Sequence, residues 1–263
     1  LAHTTWFFET FLLKPFLDDY VSPNESYEVL FNSYYNAIGE QFPRAQRGLW
    51  SRPSVAEVLD YRHVVNDAML ALLADKAHVE RSSILERCTL GIAHEQQHQE
   101  LFFTDLKYSL AVNPLNPVYT PAVSGLSERP EAPLEWLGYE GGLVEVGFQG
   151  EGFCFDNELP RHKTYLEPFK LANRLVTNSE YQRFIDDGAY QRPEFWLSDG
   201  WACVQEKRWE KPHYWHDIDG QPFEYTLHGL LPRMGSQPVC HVSGYEADAF
   251  ARWTEARLPT EME

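Results

Sequence analysis

The sequence lacks both long hydrophobic runs and an excess of positive charge. Apolar stretches such as Trp6–Phe8 and Phe11–Leu13 fall far short of the roughly 20 residues that a membrane-spanning helix needs. The 22 basic residues are outnumbered by 39 acidic ones, which gives a formal net charge of -17. Such a charge repels the phosphates of nucleic acids and anionic lipid headgroups. We therefore expect neither a nucleic-acid partner nor a membrane partner.

Cysteine is also scarce. The four cysteines are widely spaced and form no C-x-x-C pair, which argues against a disulfide framework and against a zinc ribbon. No leader with a basic start and an apolar core is visible. This pattern fits a reducing compartment, and a cytoplasmic location is expected. The cysteines are Cys88, Cys154, Cys203 and Cys240.

The first half of the sequence has the pattern of a helix bundle. Up to about Val112, apolar residues recur at three- and four-residue spacing and glycine is sparse, which predicts amphipathic helices. Ser54 and Glu57 have the spacing of a capping box at the start of one of them. Helices are predicted over residues 1–20 with a possible interruption at Pro15, 27–38, 54–73 and 82–110.

The second half has a different pattern. Between Asn113 and Pro133, proline and glycine are too dense for a helix interior. Beyond this stretch, short β-branched and aromatic runs such as Leu143–Phe148 alternate with brief helical patterns at Asn178–Asp186 and Gly244–Thr254. A chain of 263 residues can hold two domains. We expect a helical domain over 1–112, a linker over 113–134 and an irregular α+β domain over 135–263.

The strongest chemical signal is a histidine pair in the longest predicted helix. His94 and His98 are four residues apart, so both imidazoles lie on one helix face and can reach one ion. Leu90, Leu101, Phe102 and Asp105 fall on or near the same side, which predicts that the pair faces the bundle interior. Two histidines at this spacing can also be a solvated surface, but the neighbouring glutamines already supply a polar face.

Several metals and reactions are compatible with this pair. His3 is a candidate third ligand, and three imidazoles suit iron(II), copper or zinc. The spacing from His94 to His98 also matches the H-E-x-x-H pattern of zinc proteases, with Glu95 at the place of their general base. No third protease ligand follows soon after His98, so this interpretation has less support.

Two distant motifs together resemble a known family. The segments Leu1–Phe11 and His94–Leu101 resemble the iron-binding DinB-like four-helix bundle of the ergothioneine-biosynthesis sulfoxide synthases. The second half resembles the formylglycine-generating-enzyme-like (sulfatase-modifying-factor, C-type-lectin-like) domain that follows the bundle in that family. The fold class implied is α plus α+β, a bundle followed by an irregular and C-terminally incomplete domain. The segments of the second resemblance are Asp156–His162, Val176–Tyr181, Pro238–Ala247 and Arg257–Glu261.

The resemblance implies a reaction, a cofactor and a ligand set. Fe(2+) would be bound by His3, His94 and His98, and the enzyme would use O2 to join a cysteine-type thiol to the imidazole of hercynine as a sulfoxide. The substrates implied are hercynine, cysteine or γ-glutamylcysteine, and O2. Gln97 matches a residue that contacts hercynine in the family. Arg47 or Arg52 would suit the carboxylate of the thiol substrate, since a guanidinium pairs with carboxylates through two hydrogen bonds.

Parts of the family pattern are missing. Its catalytic tyrosine would lie beyond Glu263, so no catalytic residue is assigned. We expect a chain that is incomplete at both ends and that can bind iron without turnover. Cys240 is interpreted as a buried structural thiol. Three other functions remain open: an ovothiol-type synthase acting on histidine, a DinB-like zinc hydrolase or thiol transferase, and a non-catalytic binding module.

Overall fold

The chain forms two compact units, Leu1–Asp105 and Leu106–Glu263. The computed structural model describes residues 1–33, 35–37, 39, 41–122 and 130–263. The division between the units falls inside the helix Arg81–Ala111, and the domain limits inferred from the sequence remain predictions. Within the described part of the chain, we find no helix with the length and apolar character needed to cross a membrane.

The first unit is built from helices. One continuous helical segment over residues 2–16, here called the N-terminal helical segment, contains a π-helical stretch at Glu9–Leu13. The α-helices of this unit are α1 (Ala2–Phe8), α2 (Lys14–Phe16), α3 (Tyr27–Phe31), α4 (Val55–Ala74) and α5 (Arg81–Ala111), whose last turns belong to the second unit.

The two longest helices were predicted almost to the residue. Helix α4 begins after Ser54, whose hydroxyl accepts a hydrogen bond from the Glu57 backbone N–H while the Glu57 carboxylate accepts one from the Ser54 N–H. The predicted capping box is therefore confirmed, and it satisfies two backbone donors that a helix start leaves unpaired. The buried face of α4 follows the helical period, with Tyr61, Val65, Met69 and Leu72 in the core.

The helix predicted over 27–38 was wrong in its second half. Helix α3 ends at Phe31, and Asn32 has an extended backbone. The Asn32 side-chain oxygen accepts from the Tyr35 N–H, and its amide donates to the Tyr35 carbonyl, each at 3.0 Å. Asparagine competes in this way with helical hydrogen bonds. Ile38, the predicted end, lies outside the described residues.

The first predicted helix also ends early. It ends at Phe16 instead of residue 20, because Leu17 has an extended backbone. The described residues of the first unit therefore contain three long helical segments, the short α3 and a 3-10 helix at Arg44–Leu49. The DinB-like arrangement of a four-helix bundle remains a prediction.

The core of the first unit surrounds a buried carboxylate. Glu9 is 1% exposed. Its two oxygens accept hydrogen bonds from the hydroxyls of Tyr20, at 2.7 Å, and Tyr61, at 2.5 Å. Because α4 supplies Tyr61, the N-terminal helical segment and α4 are linked by a buried polar contact. The main buried apolar residues are Trp6, Phe7, Leu12, Leu13, Tyr27, Phe31, Tyr61, Val65, Met69, Leu72 and Ile84.

The described part of the second unit combines short antiparallel strands with three α-helices of its own and three short 3-10 helices. Strand β1 pairs with β4, β2 with β3, and β6 lies between β5 and β7. The helix predicted over Asn178–Asp186 is confirmed, and the one predicted from Gly244 ends one residue early. The elements are β1 (Trp136–Tyr139), β2 (Gly142–Val146), β3 (His162–Leu166), β4 (Phe169–Ala172), α6 (Asn178–Asp186), α7 (Ser198–Lys207), β5 (Trp215–Ile218), β6 (Gln221–Thr226), β7 (Gly229–Pro232) and α8 (Gly244–Trp253).

The described part of the proline-rich stretch belongs to the second unit and is hydrogen-bonded within it. The backbone N–H groups of Tyr119 and Thr120 donate to the Leu227 carbonyl, which lies between β6 and β7. The Tyr225 hydroxyl donates to the Pro117 carbonyl at 2.7 Å. This stretch therefore contributes hydrogen bonds to the second unit instead of running free of it, and its residues 123–129 lie outside the described part.

Candidate metal centre

His3 is held in one orientation by a backbone carbonyl. It lies in the first turn of α1, and its Nδ1 is 2.6 Å from the carbonyl oxygen of Phe31, the last residue of α3. A carbonyl can only accept, so Nδ1 carries the proton and donates it. Nε2 of the neutral ring then carries the lone pair. Metal-binding histidines are commonly fixed in this way through their other ring nitrogen.

The predicted histidine pair lies on one face of α5. The Nε2 atoms of His94 and His98 are 3.1 Å apart, and the ring centroids are 4.6 Å apart with the planes nearly perpendicular. Two nitrogens at this separation can contact one ion. In the metal-free protein they can also share a proton, with one ring donating to the other.

The structure brings all three predicted ligands together. One nitrogen from each of His3, His94 and His98 lies within 4.8 Å of the others, and among the described residues no second group of three or more histidine, cysteine or carboxylate side chains meets this criterion. The His3 ring centroid is 5.1 Å from that of His94 and 4.9 Å from that of His98. Three neutral imidazoles on two helices form a donor set that fits a divalent transition metal.

Aromatic rings of α1 pack against His3 and His94. Trp6 stacks on His3 with ring centroids 5.5 Å apart, and Phe7 lies 4.9 Å from His94. This close approach of α1 to α5 depends on Gly91, because a Cβ at that position would lie 2.7 Å from a Phe8 ring atom. Gly91 precedes His94 by almost one helical turn, so the missing side chain lets the two histidine-bearing helices approach each other.

The environment keeps the imidazoles uncharged. Burial, with smaller contributions from His98 and His3, lowers the pKa of His94 to about 4. Burial is also the main cause that lowers the pKa values of His3 and His98 below the ordinary 6.5. At neutral pH the neutral forms therefore dominate, and these are the forms that bind metals.

One expectation about the pair was wrong. Leu90, Leu101 and Phe102 were predicted to accompany the histidines into the bundle interior, but they are 40%, 46% and 58% exposed. On α5 only Ile84 and Gly91 are buried, since its later turns extend past the aromatic core of the first unit. The histidines are partly buried, so one side of the site is accessible.

The predicted substrate-binding residues differ in their exposure and in their contacts. Gln97 lies on an exposed part of α5. Arg47 is partly buried and donates to the carbonyls of Phe42 and Ser33, and its charge contributes to the lowered pKa of His3. Arg52 is exposed, and its charge acts on the Glu57 carboxylate instead. Of the two arginines, Arg47 is therefore the one that is electrostatically linked to the histidine site.

Outside this site, one prediction about a cysteine was wrong. Cys240 is exposed, not buried, because it lies in the connection between the bridge residue Pro238 and α8, with its sulfur directed at the Pro238 carbonyl at 3.6 Å. All four cysteines are free thiols.

Two contributors to the site were not found from the sequence. The Phe31 carbonyl leaves no trace in the sequence because every residue has one. Arg62 did leave a signal, since it directly follows the core residue Tyr61 on α4, where a charge at the edge of a buried stripe suggests a partner. Arg62 donates to the Glu95 carboxylate at 3.0 Å.

Comparison with known proteins identifies the second half of the chain. A model of the sulfatase-modifying factor enzyme 1-like domain matches residues 126–263. The chain is 35% identical over 179 residues to a hercynine oxygenase of Mycolicibacterium smegmatis, an alignment that covers 67% of this chain and 40% of the relative.

Two further relatives are likewise named for hercynine or ergothioneine. A hercynine oxygenase of Mycobacterium tuberculosis is 32% identical over 210 residues, or 80% of this chain and 48% of the relative. Ergothioneine biosynthesis protein 1 of Schizosaccharomyces pombe is 30% identical over 112 residues, or 42% of this chain and 12% of the relative. The chain thus spans less than half the length of each of these relatives. Since the domain match covers more than half of its residues, the chain belongs to the sulfatase-modifying factor enzyme 1-like family.

Proposed function

We propose that the chain is the metal-binding part of an iron(II)- and O2-dependent sulfoxide synthase of ergothioneine biosynthesis. The reaction would join the sulfur of cysteine or γ-glutamylcysteine to an imidazole carbon of hercynine. The C–H and S–H bonds break, a C–S bond forms, and the sulfur is oxidised to a sulfoxide. One oxygen atom of O2 enters the product, and the other leaves as water with the two hydrogens.

The observation that carries this proposal is the convergence of His3, His94 and His98 within 4.8 Å. A three-histidine site accounts for residues that the formylglycine-generating-enzyme-like domain alone does not explain. The relatives named hercynine oxygenase and ergothioneine biosynthesis protein support the choice of substrate class.

The protein would bind iron through the Nε2 atoms that face one another. Iron(II), when bound, would leave about three of six octahedral positions for the thiol, O2 and the substrate imidazole. The chain's own part is to hold His3 by the Phe31 carbonyl, to keep the three imidazoles neutral by burial, and to shield the rear of the site with Trp6 and Phe7.

For substrate binding we favour Arg47 as the partner of a thiol-substrate carboxylate. Its charge acts on His3, whereas that of Arg52 acts on Glu57. We assign Gln97 to hercynine because it directly precedes His98 and is exposed on the same helix. The four free thiols fit a reaction in the reducing cytoplasm.

The zinc-protease alternative loses its general base in this geometry. Such enzymes need the glutamate after the first histidine to activate water. Here the Glu95 carboxylate is paired with Arg62 at 3.0 Å. The structure therefore favours a structural role for Glu95.

The proposal predicts metal-dependent binding of hercynine. We expect hercynine to bind the iron-loaded chain at least about 10-fold more tightly than the metal-free chain and histidine to bind more weakly, as measured by anaerobic isothermal titration. A tenfold difference corresponds to about 1.4 kcal/mol. Addition of thiol and O2, followed by mass spectrometry, tests for the sulfoxide product.

The outcomes separate the alternatives. Tighter binding of histidine than of hercynine would favour an ovothiol-type synthase. Identical binding of hercynine with and without metal would contradict the proposal. Ester or amide hydrolysis by the zinc-loaded chain, without hercynine binding, would favour the hydrolase.

A further inference from the structure

Arg62 connects the two helices that carry the histidines. It lies on α4, and its Nη1 is 3.0 Å from the Glu95 carboxylate of α5. The same nitrogen is 3.4 Å from the Thr4 hydroxyl and 3.3 Å from the Thr5 hydroxyl, both on α1. One guanidinium therefore contacts both ligand-bearing helices.

The two threonines are oriented to accept hydrogen bonds. Each hydroxyl donates its proton to the Leu1 carbonyl, at 3.0 Å from Thr4 and 2.9 Å from Thr5. Their oxygen lone pairs are then available to Arg62. Thr4 and Thr5 are 1% and 0% exposed, so the hydroxyls are fixed by packing as well as by these bonds.

The ion pair is largely removed from water. The side chains of Arg62 and Glu95 are 22% and 23% exposed, so the pair is less weakened by solvent than a surface pair. The Arg62 guanidinium donates to the Glu95 carboxylate across 3.0 Å, so the pair joins α4 to α5 at a position with limited access to solvent.

The sequence positions of these contacts connect them to the metal centre. Thr4 directly follows His3, and Glu95 directly follows His94. A change in the Arg62 contacts would shift the backbone next to two of the three histidines. We propose that Arg62, through Glu95 and the two threonines, is a positioning residue that sets the distance between His3 and His94.

This inference rests on the proposed metal site, and metal affinity tests it without catalysis. The purified chain would be titrated anaerobically with iron(II), and with cobalt(II) to record the visible absorption spectrum of the bound ion. Because outer partners of metal ligands typically contribute 10–100-fold to affinity, Arg62→Gln should weaken binding by about 10-fold or more and alter the cobalt spectrum. Arg62→Lys, which keeps one donor and the charge, should recover part of the loss.

Glu95→Gln, alone and combined with Arg62→Gln, tests whether Arg62 and Glu95 affect metal affinity through the contact that they share. The double variant Arg62→Gln/Glu95→Gln should bind no more weakly than Arg62→Gln, because the residues act through one contact. Arg87→Gln is the matched control. Arg87 also connects α5 to the N-terminal helical segment, donating to the Phe11 carbonyl at 3.1 Å, but it lies almost two turns before His94. Arg87→Gln should lower the melting temperature of the metal-free chain without changing its metal affinity.

Each result decides between clear alternatives. Wild-type metal affinity and an unchanged cobalt spectrum in Arg62→Gln would overturn the positioning role while leaving the proposed function intact. Failure of the wild-type chain to bind iron or cobalt would overturn the proposed function itself. Should Arg62→Gln not fold, unchanged affinity in both Arg62→Lys and Glu95→Gln would overturn the inference, and weakened affinity in Glu95→Gln would support it.

Discussion

Replacing His94 by alanine should abolish stoichiometric iron(II) binding. The Nε2 of His94 is 3.1 Å from that of His98, and its ring lies 5.1 Å from His3, so the variant loses one of the three imidazoles of the proposed iron site. The loss should exceed the roughly 10–100-fold that removal of an outer partner typically causes. Anaerobic equilibrium dialysis followed by metal analysis measures it.

His63→Ala is the control for this experiment. His63 is an exposed histidine on α4, outside the group of three, and its loss should leave the iron content unchanged. His3→Ala and His98→Ala should behave like His94→Ala. Retention of wild-type affinity in any of these three variants would show that the altered histidine is not a ligand.

Replacing Glu9 by alanine should destabilise the first unit by roughly 2–5 kcal/mol. The change leaves the buried hydroxyls of Tyr20 and Tyr61 without their acceptor, at about 1–3 kcal/mol for each unpaired group, and adds a cavity in the core. Glu9→Gln should cost less because it keeps one acceptor oxygen. Urea denaturation of the metal-free chain, followed by tryptophan fluorescence, compares the unfolding midpoints.

An exposed glutamate provides the reference for the Glu9 experiment. Glu25 lies in the loop before α3 and is exposed, so Glu25→Ala should change the free energy of unfolding by less than about 0.5 kcal/mol. If Glu9→Ala were no more destabilising than Glu25→Ala, the buried carboxylate would not contribute to the core as the hydrogen bonds indicate.

The sequence was sufficient where local chemistry determines structure. The capping pair Ser54 and Glu57 located the start of α4 within one residue, because the two side chains satisfy the donors of that helix end by themselves. The four-residue spacing of His94 and His98 likewise placed both imidazoles on one face, since helix geometry alone fixes that relation.

The sequence was insufficient where tertiary contacts decide. The end of α3 depends on the contacts of Asn32 with Tyr35, which override a helical pattern. The orientation of His3 depends on the carbonyl of Phe31, 28 residues away. The exposure of Phe102 depends on how far the core extends along α5, which no local pattern reports.

A crystal structure of the iron-loaded chain, with anomalous data collected at the iron edge, tests the central claim most directly. We predict one strong anomalous peak bounded by the imidazole nitrogens of His3, His94 and His98, with Nδ1 of His3 still donating to the Phe31 carbonyl. Two results would contradict this claim. One is an iron peak elsewhere in the chain. The other is the absence of a peak between the three imidazoles although the chain in solution binds iron at full occupancy.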